Sequence, residues 1–156
     1  MATEKYIRKY LETEGENQNS LLFIIDIDHF KEINDTKGHV HGDEVLSTIG
    51  REIGSEFRVT DIIGRVGGDE FVVFLKHIPD REVAEGEAKR LIDFFHSLHP
   101  GEYVKSRVTA SIGGAVYPED GNDYESLYRA ADSAVYKAKK RGKDQFAFFT
   151  EEDDDK

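Results

Sequence analysis

This sequence predicts an α+β fold, a mainly antiparallel central sheet covered by helices. Three observations carry that expectation. Apolar runs of strand length mix with amphipathic helical segments, without the steady alternation of a doubly wound parallel sheet. Two of the runs, DIIGRV and FVVFL, are separated only by Gly67 to Glu70, a spacing that makes a hairpin. A third, LLFIIDID, is a short apolar stretch ending in acids, as expected of a central strand buried on both faces.

In chain order, EKYIRKYLETEG places Tyr6, Ile7, Tyr10 and Leu11 at helical spacing ahead of a Gly/Asn/Ser loop. After the first strand, HFKEIND reads as a short helix. GDEVLSTIGREIGSEF reads as a longer one that turns Val45, Leu46, Ile49 and Ile53 inward. The hairpin follows. From Arg81 to Leu98 a helix carries Val83, Ala88, Leu91, Ile92 and Phe95 in phase. VTASIGGAVY is a strand expected to be weakened or bulged at Gly113 and Gly114. YESLYRAADSAVYKAKKRG is a helix with small residues along one stripe, stopped by Gly142, and QFAFF is a last strand at the sheet edge. The expected organisation is one domain over residues 1–150 and a solvated, disordered acidic tail, EEDDDK, at 151–156.

The 156 residues include ten Phe and seven Tyr, enough apolar material for one compact core. Without cysteine, neither disulfides nor thiolate metal sites are available. A net charge of −11 argues against a broad basic face held on nucleic acid. The longest apolar run, Leu21 to Ile25, is too short to cross a bilayer, and no secretory signal opens the chain. The expected compartment is the cytoplasm.

Asp26 follows five apolar residues while still inside a strand, where a carboxylate is costly unless paired or metal-bound. Asp28 stands where the N-cap of the next helix belongs. A hairpin beside the first strand would bring Asp69 and Glu70 near Asp26. Converging carboxylates repel unless a divalent cation lies between them, and oxygen ligands without cysteine suggest Mg²⁺ or Mn²⁺. Gly68 would leave a backbone N–H clear to approach a phosphate. Lys31, Lys139 and Lys143 could balance phosphate charge. Taken alone, the same residues also describe a surface turn with solvated acids, and lysines that merely answer a helix dipole. His39 and His41, near Asp43, lack the third ligand of a zinc site.

DIDHFKEINDTKGHVHGDEVL followed by RVGGDEF resembles the GGDEF domain of bacterial diguanylate cyclases. The match falls at Asp26, Asp28, Phe30, Lys31, Asn34, Asp35, Gly38, His39, Gly42, Asp43 and Leu46, then at Gly67 to Phe71. TASIGGAVYP and ADSAVYKAKKRGKDQ resemble the distal segments of the family, so the similarity runs from Leu21 to Phe148.

The resemblance implies a fold like that of nucleotidyl cyclases and the polymerase palm. It implies a reaction joining two GTP molecules into cyclic di-GMP with release of two pyrophosphates. Asp26, the carbonyl of Ile27, Asp69 and Glu70 would hold Mg²⁺ or Mn²⁺. Asp69 would also accept the proton of the ribose 3′-hydroxyl, and Lys31 would stabilise charge on the transferring phosphoryl group. Asn34 and Asp43 would read the guanine edge with His39 alongside, and Phe30 and Gly68 complete the substrate set. Lys139 and Lys143 match a phosphate-binding pair whose second member is more often Arg. Arg58 and Asp61, in RVTD, match a product-inhibition site to which Arg90 would contribute.

Each domain would hold one GTP, so the reaction implies a transient homodimer with two domains facing each other. The opening Asp-x-Leu-Thr-Gly-Leu-x-Asn-Arg segment of the family is missing, which implies a domain shortened at its N-terminus. The rival is a catalytically silent GGDEF domain acting as a GTP or cyclic di-GMP receptor. The intact Asp69-Glu70 pair favours the enzyme. A polymerase or a cyclase for another nucleotide rests on fold analogy alone, and Asn34 with Asp43 argues for guanine.

Overall fold

The computed structural model describes residues 2–14, 18–58, 60–98 and 108–152. The order of elements is α1 (Ala2–Thr13), β1 (Ser20–Ile27), α2 (Phe30–Lys37), α3 (His39–Glu56), β2 (Ile62–Arg65), β3 (Glu70–Lys76), α4 (Arg81–Ser97), β4 (Ala110–Tyr117), α5 (Tyr124–Lys140) and β5 (Gln145–Phe148). The strands form one sheet in the order β2-β3-β1-β4-β5. Pairing is antiparallel throughout except between β4 and the edge strand β5. The expected α+β architecture is the observed one.

Strand β1 sits at the centre because it has apolar side chains for both faces. Leu21, Phe23, Ile25 and Ile27 join the core beneath α3 and α4, while Leu22 and Ile24 join the core beneath α1 and α5. Each such fully buried side chain contributes roughly 1.5–3 kcal/mol relative to exposure. Val45, Leu46, Ile49 and Ile53 do turn inward from α3, which begins at His39, ahead of its expected start. Helix α4 is capped by Asp80, whose carboxylate accepts from the Val83 amide at 2.9 Å. Helix α5 opens on a capping box formed by Asp123 and Ser126.

Some expectations are corrected. Tyr6 is exposed, leaving Ile7, Tyr10 and Leu11 as the buried stripe of α1. Val83 is exposed and Ile92 only half-buried, and α4 packs instead through Ala84, Ala88, Leu91, Phe94 and Phe95. Its buried stripe is therefore rotated from the one read in the sequence. Strand β4 is not bulged, since Phe23 pairs with Gly114 and Ile24 with Gly113 in unbroken register. The glycines serve close approach. A Cβ on Gly113 would lie 2.2 Å from the Ala131 carbonyl oxygen and 2.4 Å from the Val135 nitrogen of α5. Helix α5 thus lies directly on the strand, its Ala130, Ala131, Ala134 and Ala138 turned inward. The acidic tail expected at 151–156 lies outside the described residues from 153 onward, and Glu151 and Glu152 have 3₁₀ conformation.

Candidate active site

The site is built at the end of β1. Asp26 stands opposite Glu70 of β3 on one side and Ser111 of β4 on the other. The next residue, Ile27, donates its N–H to the carbonyl oxygen of Asp69 at 3.1 Å, which ties the GGDE turn to the strand end. Arg65 braces the turn from behind, its Nε donating to the carbonyls of Gly67 at 3.2 Å and Gly68 at 3.0 Å. A Cβ at Gly68 would meet nothing within 4 Å, so the tip of the turn is open to approach.

Strand alternation sends Asp26 and Glu70 to the sheet face covered by α1 and α5. Two side chains of α5 meet them there. Lys139 Nζ donates to Asp26 Oδ2, and Tyr128 Oη donates to Glu70 Oε1 at 2.6 Å. Tyr128 was not legible as a site residue, because its partner is 58 positions away in the chain.

Charge is imperfectly balanced in this cluster. Burial first, then the charge of Asp26, pushes the Asp69 carboxyl above its ordinary range against the opposing pull of Lys139. Glu70 is also pushed up, chiefly by burial. The hydrogen bond from Tyr128 pulls it back, and Asp132, Asp26 and Asp69 add to the rise. Burial would lower Lys139, yet its hydrogen bond and ion pair with Asp26, and the charges of Asp69 and Asp28, raise it. Asp26 and Asp69 therefore crowd around one point where positive charge is favoured.

Among the described residues, no three His, Asp or Glu form a ready-made metal cage. The donors near this point, the carboxylates of Asp26, Asp69 and Glu70 and the main-chain carbonyls beside them, are all hard oxygens. They fit Mg²⁺ or Mn²⁺, which takes few protein ligands and completes its shell with water and phosphate.

Helices α2 and α3 start close behind the strand end. Phe30, buried, opens α2, and Asn34 lies one turn on against α3. A Cβ on Gly42 would come within 1.9 Å of Asn34 Oδ1 and 3.1 Å of the Phe30 ring. Gly42 thus lets the two helices close around the Asn34 amide. Gly38, with φ of 91°, makes the break between them. Lys31, His39 and Asp43 are exposed along these helices. Lys143, at φ of 64°, sits in the turn after α5, its N–H donating to the Ala138 carbonyl at 3.1 Å. Among the described residues, no ion pair joins Lys31 or Lys143 to the carboxylates. The structure gathers Asp26, Ile27, Asp69, Glu70 and Lys139 into one cluster, and Phe30 and Asn34 into another.

Asp28 is not a helix cap. The residue at that position of α2 is His29, in the left-handed region at φ of 56° and without a side-chain cap. Asp28 is buried, 6% exposed, and accepts from Ser111 Oγ at 2.7 Å, Thr109 Oγ1 at 2.8 Å and the Asp144 amide at 3.0 Å.

Arg58, Asp61 and Arg90 line a second cavity of about 430 Å³ on the opposite rim of the domain, with Glu56, Phe57 and Glu87. Asp61 accepts from the Arg58 amide at 3.3 Å and the Lys76 amide at 3.2 Å, and Arg58 Nη2 donates to the Lys76 carbonyl at 3.1 Å. Arg90 stacks over Phe57 at 4.9 Å, paired with Glu87 and Glu56. Arg58 and Asp61, three positions apart, meet Arg90 from a distant part of the chain at one opening.

Comparison with known proteins identifies the family. The family "Diguanylate cyclase, GGDEF domain" matches residues 2–145. A probable diguanylate cyclase of Escherichia coli K12, DgcT, is 41% identical over 80% of this chain and 28% of its own length. A second from the same organism, DgcC, is 38% identical over 83% of this chain and 34% of its own. The chain thus spans about a third or less of these curated relatives. Among solved structures, a GGDEF domain from Pseudomonas aeruginosa superposes with a TM-score of 0.88 at 30% identity, covering 97% of this chain and 90% of that one. The active GGEEF domain of a diguanylate cyclase from Vibrio cholerae gives 0.84 at 29% identity, covering 96% of each.

Proposed function

The chain belongs to the diguanylate cyclase GGDEF domain family, and from that premise we propose that it condenses two GTP molecules into cyclic di-GMP. The observation that carries this reading is the meeting of Asp26, Ile27 and Asp69 around one electronegative point at an open turn. A receptor that only holds a nucleotide has no need of crowded carboxylates there. In each of two half-reactions a ribose 3′-oxygen bonds to the α-phosphorus of the other GTP and one pyrophosphate leaves. Two domains facing each other as a transient homodimer supply the two nucleotides.

Asp26, the Ile27 carbonyl, Asp69 and Glu70 would hold Mg²⁺ or Mn²⁺. When bound, the ion supplies Lewis-acid activation of the nucleophile and screening of the departing charge. Asp69 takes the 3′-hydroxyl proton as general base. Tyr128 keeps Glu70 oriented. Asn34 offers guanine both a donor and an acceptor, Asp43 accepts from the ring N–H and amino group, and His39 lies beside them. Phe30 walls the site, Gly68 presents bare backbone, and Lys31, Lys139 and Lys143 meet the phosphates. Arg58, Asp61 and Arg90 form the site where cyclic di-GMP binds and slows turnover.

The test is incubation of the purified chain, and of an artificially dimerised form, with GTP and Mg²⁺, with ATP in parallel. Cyclic di-GMP and pyrophosphate form from GTP alone, and chelation of the metal abolishes them. A dimerised chain that binds cyclic di-GMP yet makes none would establish the receptor reading instead. Among the described residues no helix is long and apolar enough to cross a membrane.

A further inference from the structure

The buried carboxylate of Asp28 stands apart from the ligand set, and its hydrogen bonds join two sides of the site. Its own N–H donates to the Thr109 carbonyl at 2.9 Å, fixing the end of β1 to the segment entering β4. Oδ1 accepts from Ser111 and Oδ2 from Thr109, which satisfies the carboxylate within the sheet. Oδ2 also accepts from the amide of Asp144, in the Gly142–Asp144 turn between α5 and β5. That turn is backbone-strained, with Gly142, Lys143 and Asp144 all at positive φ. It carries Lys143, and it is held from the other side by His96. The Nε2–H of His96, in the last turn of α4, donates to Asp144 Oδ1 at 2.8 Å.

We propose that Asp28, Asp144 and His96 act as a positioning clamp that sets the Ile27 strand end and the Lys143 turn in register with each other. This rests on the nucleotide-site reading above for the role of Lys143. The physical case is that two adjacent non-glycine residues at positive φ do not hold that conformation unaided. The surroundings must over-determine it, and here the donors and acceptors that do so are a buried carboxylate and an imidazole. Displacements of about 1 Å in a phosphoryl-transfer site can cost about 10²-fold in rate. His96 acts on the turn through its hydrogen bond to Asp144.

Two readouts test the clamp. The first is amide hydrogen exchange over residues 142–145, which needs no nucleotide. His96→Ala, at a side chain 36% exposed, leaves the fold intact and speeds exchange of the Asp144 amide. Asp28→Ala speeds it further. Asp28→Asn keeps it near the original rate, because the retained oxygen accepts from Asp144 while the amide donates to the rotatable Ser111 hydroxyl. The second readout is binding of 3′-deoxy-GTP, which lacks the attacking hydroxyl, in a double-mutant cycle. His96→Ala weakens binding about three- to tenfold, the scale of one lost hydrogen bond. It weakens nothing further when Lys143→Ala is already present. Unchanged exchange at Asp144 in His96→Ala overturns the clamp. So does an additive cycle, which leaves the nucleotide site standing. If the unsubstituted chain binds no 3′-deoxy-GTP, the nucleotide-site reading fails and exchange alone decides the clamp.

Discussion

Replacing Gly113 by Ala tests the link between packing and chemistry directly. The added methyl would meet the Ala131 carbonyl oxygen at 2.2 Å and the Val135 nitrogen at 2.4 Å, both main-chain atoms of α5. These contacts are roughly 1 Å short of ordinary van der Waals separation, and backbone cannot rotate aside as a side chain can. Either β4 sinks into the core beneath α3 and α4, where its Ala110 and Ile112 already pack, or α5 lifts. The sheet interior is close-packed, so the helix gives way. Overpacking of this kind costs about 3 kcal/mol. For a chain of this length that lowers Tm by roughly 6–12 °C. The same lift draws Lys139 away from Asp26, so turnover of GTP falls about 10²-fold at temperatures where the variant is still folded. Gly54→Ala is the control. Nothing lies within 4 Å of its Cβ position on α3, and the change stabilises by about 0.5–1 kcal/mol. Differential scanning calorimetry and a pyrophosphate-release assay read both quantities. A Gly113→Ala chain that melts within 2 °C of the original (about the effect of 1 kcal/mol) refutes the packing argument. One that loses stability but no turnover refutes the coupling to Lys139.

Three further outcomes follow from the charges and contacts. The ionised form of Asp69 is disfavoured in the fold, so this group opposes folding once pH rises above its ordinary value of 3.8. Asp69→Asn therefore raises the Tm of the metal-free protein at pH 7. The gain shrinks as pH falls and vanishes where the unfolded carboxyl is also protonated. Melts across pH 3–7 in chelator check the sign, and a gain that grows toward acid contradicts it. Lys139→Met acts the other way, lowering Tm at pH 7 and weakening binding of 3′-deoxy-GTP about tenfold, as titration calorimetry would report. Arg58→Ala weakens cyclic di-GMP binding by about tenfold or more, since its cationic side chain is 63% exposed and lines the cavity. Unchanged product affinity would remove Arg58 from that site.

Much of the site was readable because its signal is local. Asp26 was conspicuous as a carboxylate ending an apolar strand, and the four-residue gap before FVVFL announced the turn that delivers Asp69. Gly42 and Asn34, eight positions apart, both stand in the motif, but their close approach across adjacent helices belongs to the fold. Asp28 was misplaced for the opposite reason. A short polar residue before a helix signals a cap, and nothing nearby contradicts it. Its partners Thr109, Ser111 and Asp144 lie 81, 83 and 116 positions away. Glycines in a strand signal either a bulge or a close approach, and for Gly113 only the path of α5 selects the second. The face of α4 was misjudged by a partial turn, because Val83 and Ile92 satisfy the helical period as well as the residues that are buried.

By itself, then, the order of residues determined which segments are strands or helices, the hairpin at the GGDE turn, and the chemical types available for a phosphate and a hard cation. These depend on neighbours within a few positions, where steric preference and periodicity act. Only the tertiary structure decided that Lys139 and Tyr128 answer Asp26 and Glu70, that Asp28 is buried beneath three donors, and that Arg58 and Arg90 share an opening. Hydrogen bonds and ion pairs depend on distance in space, and chain separation places no limit on which groups the packed sheet and helices bring together.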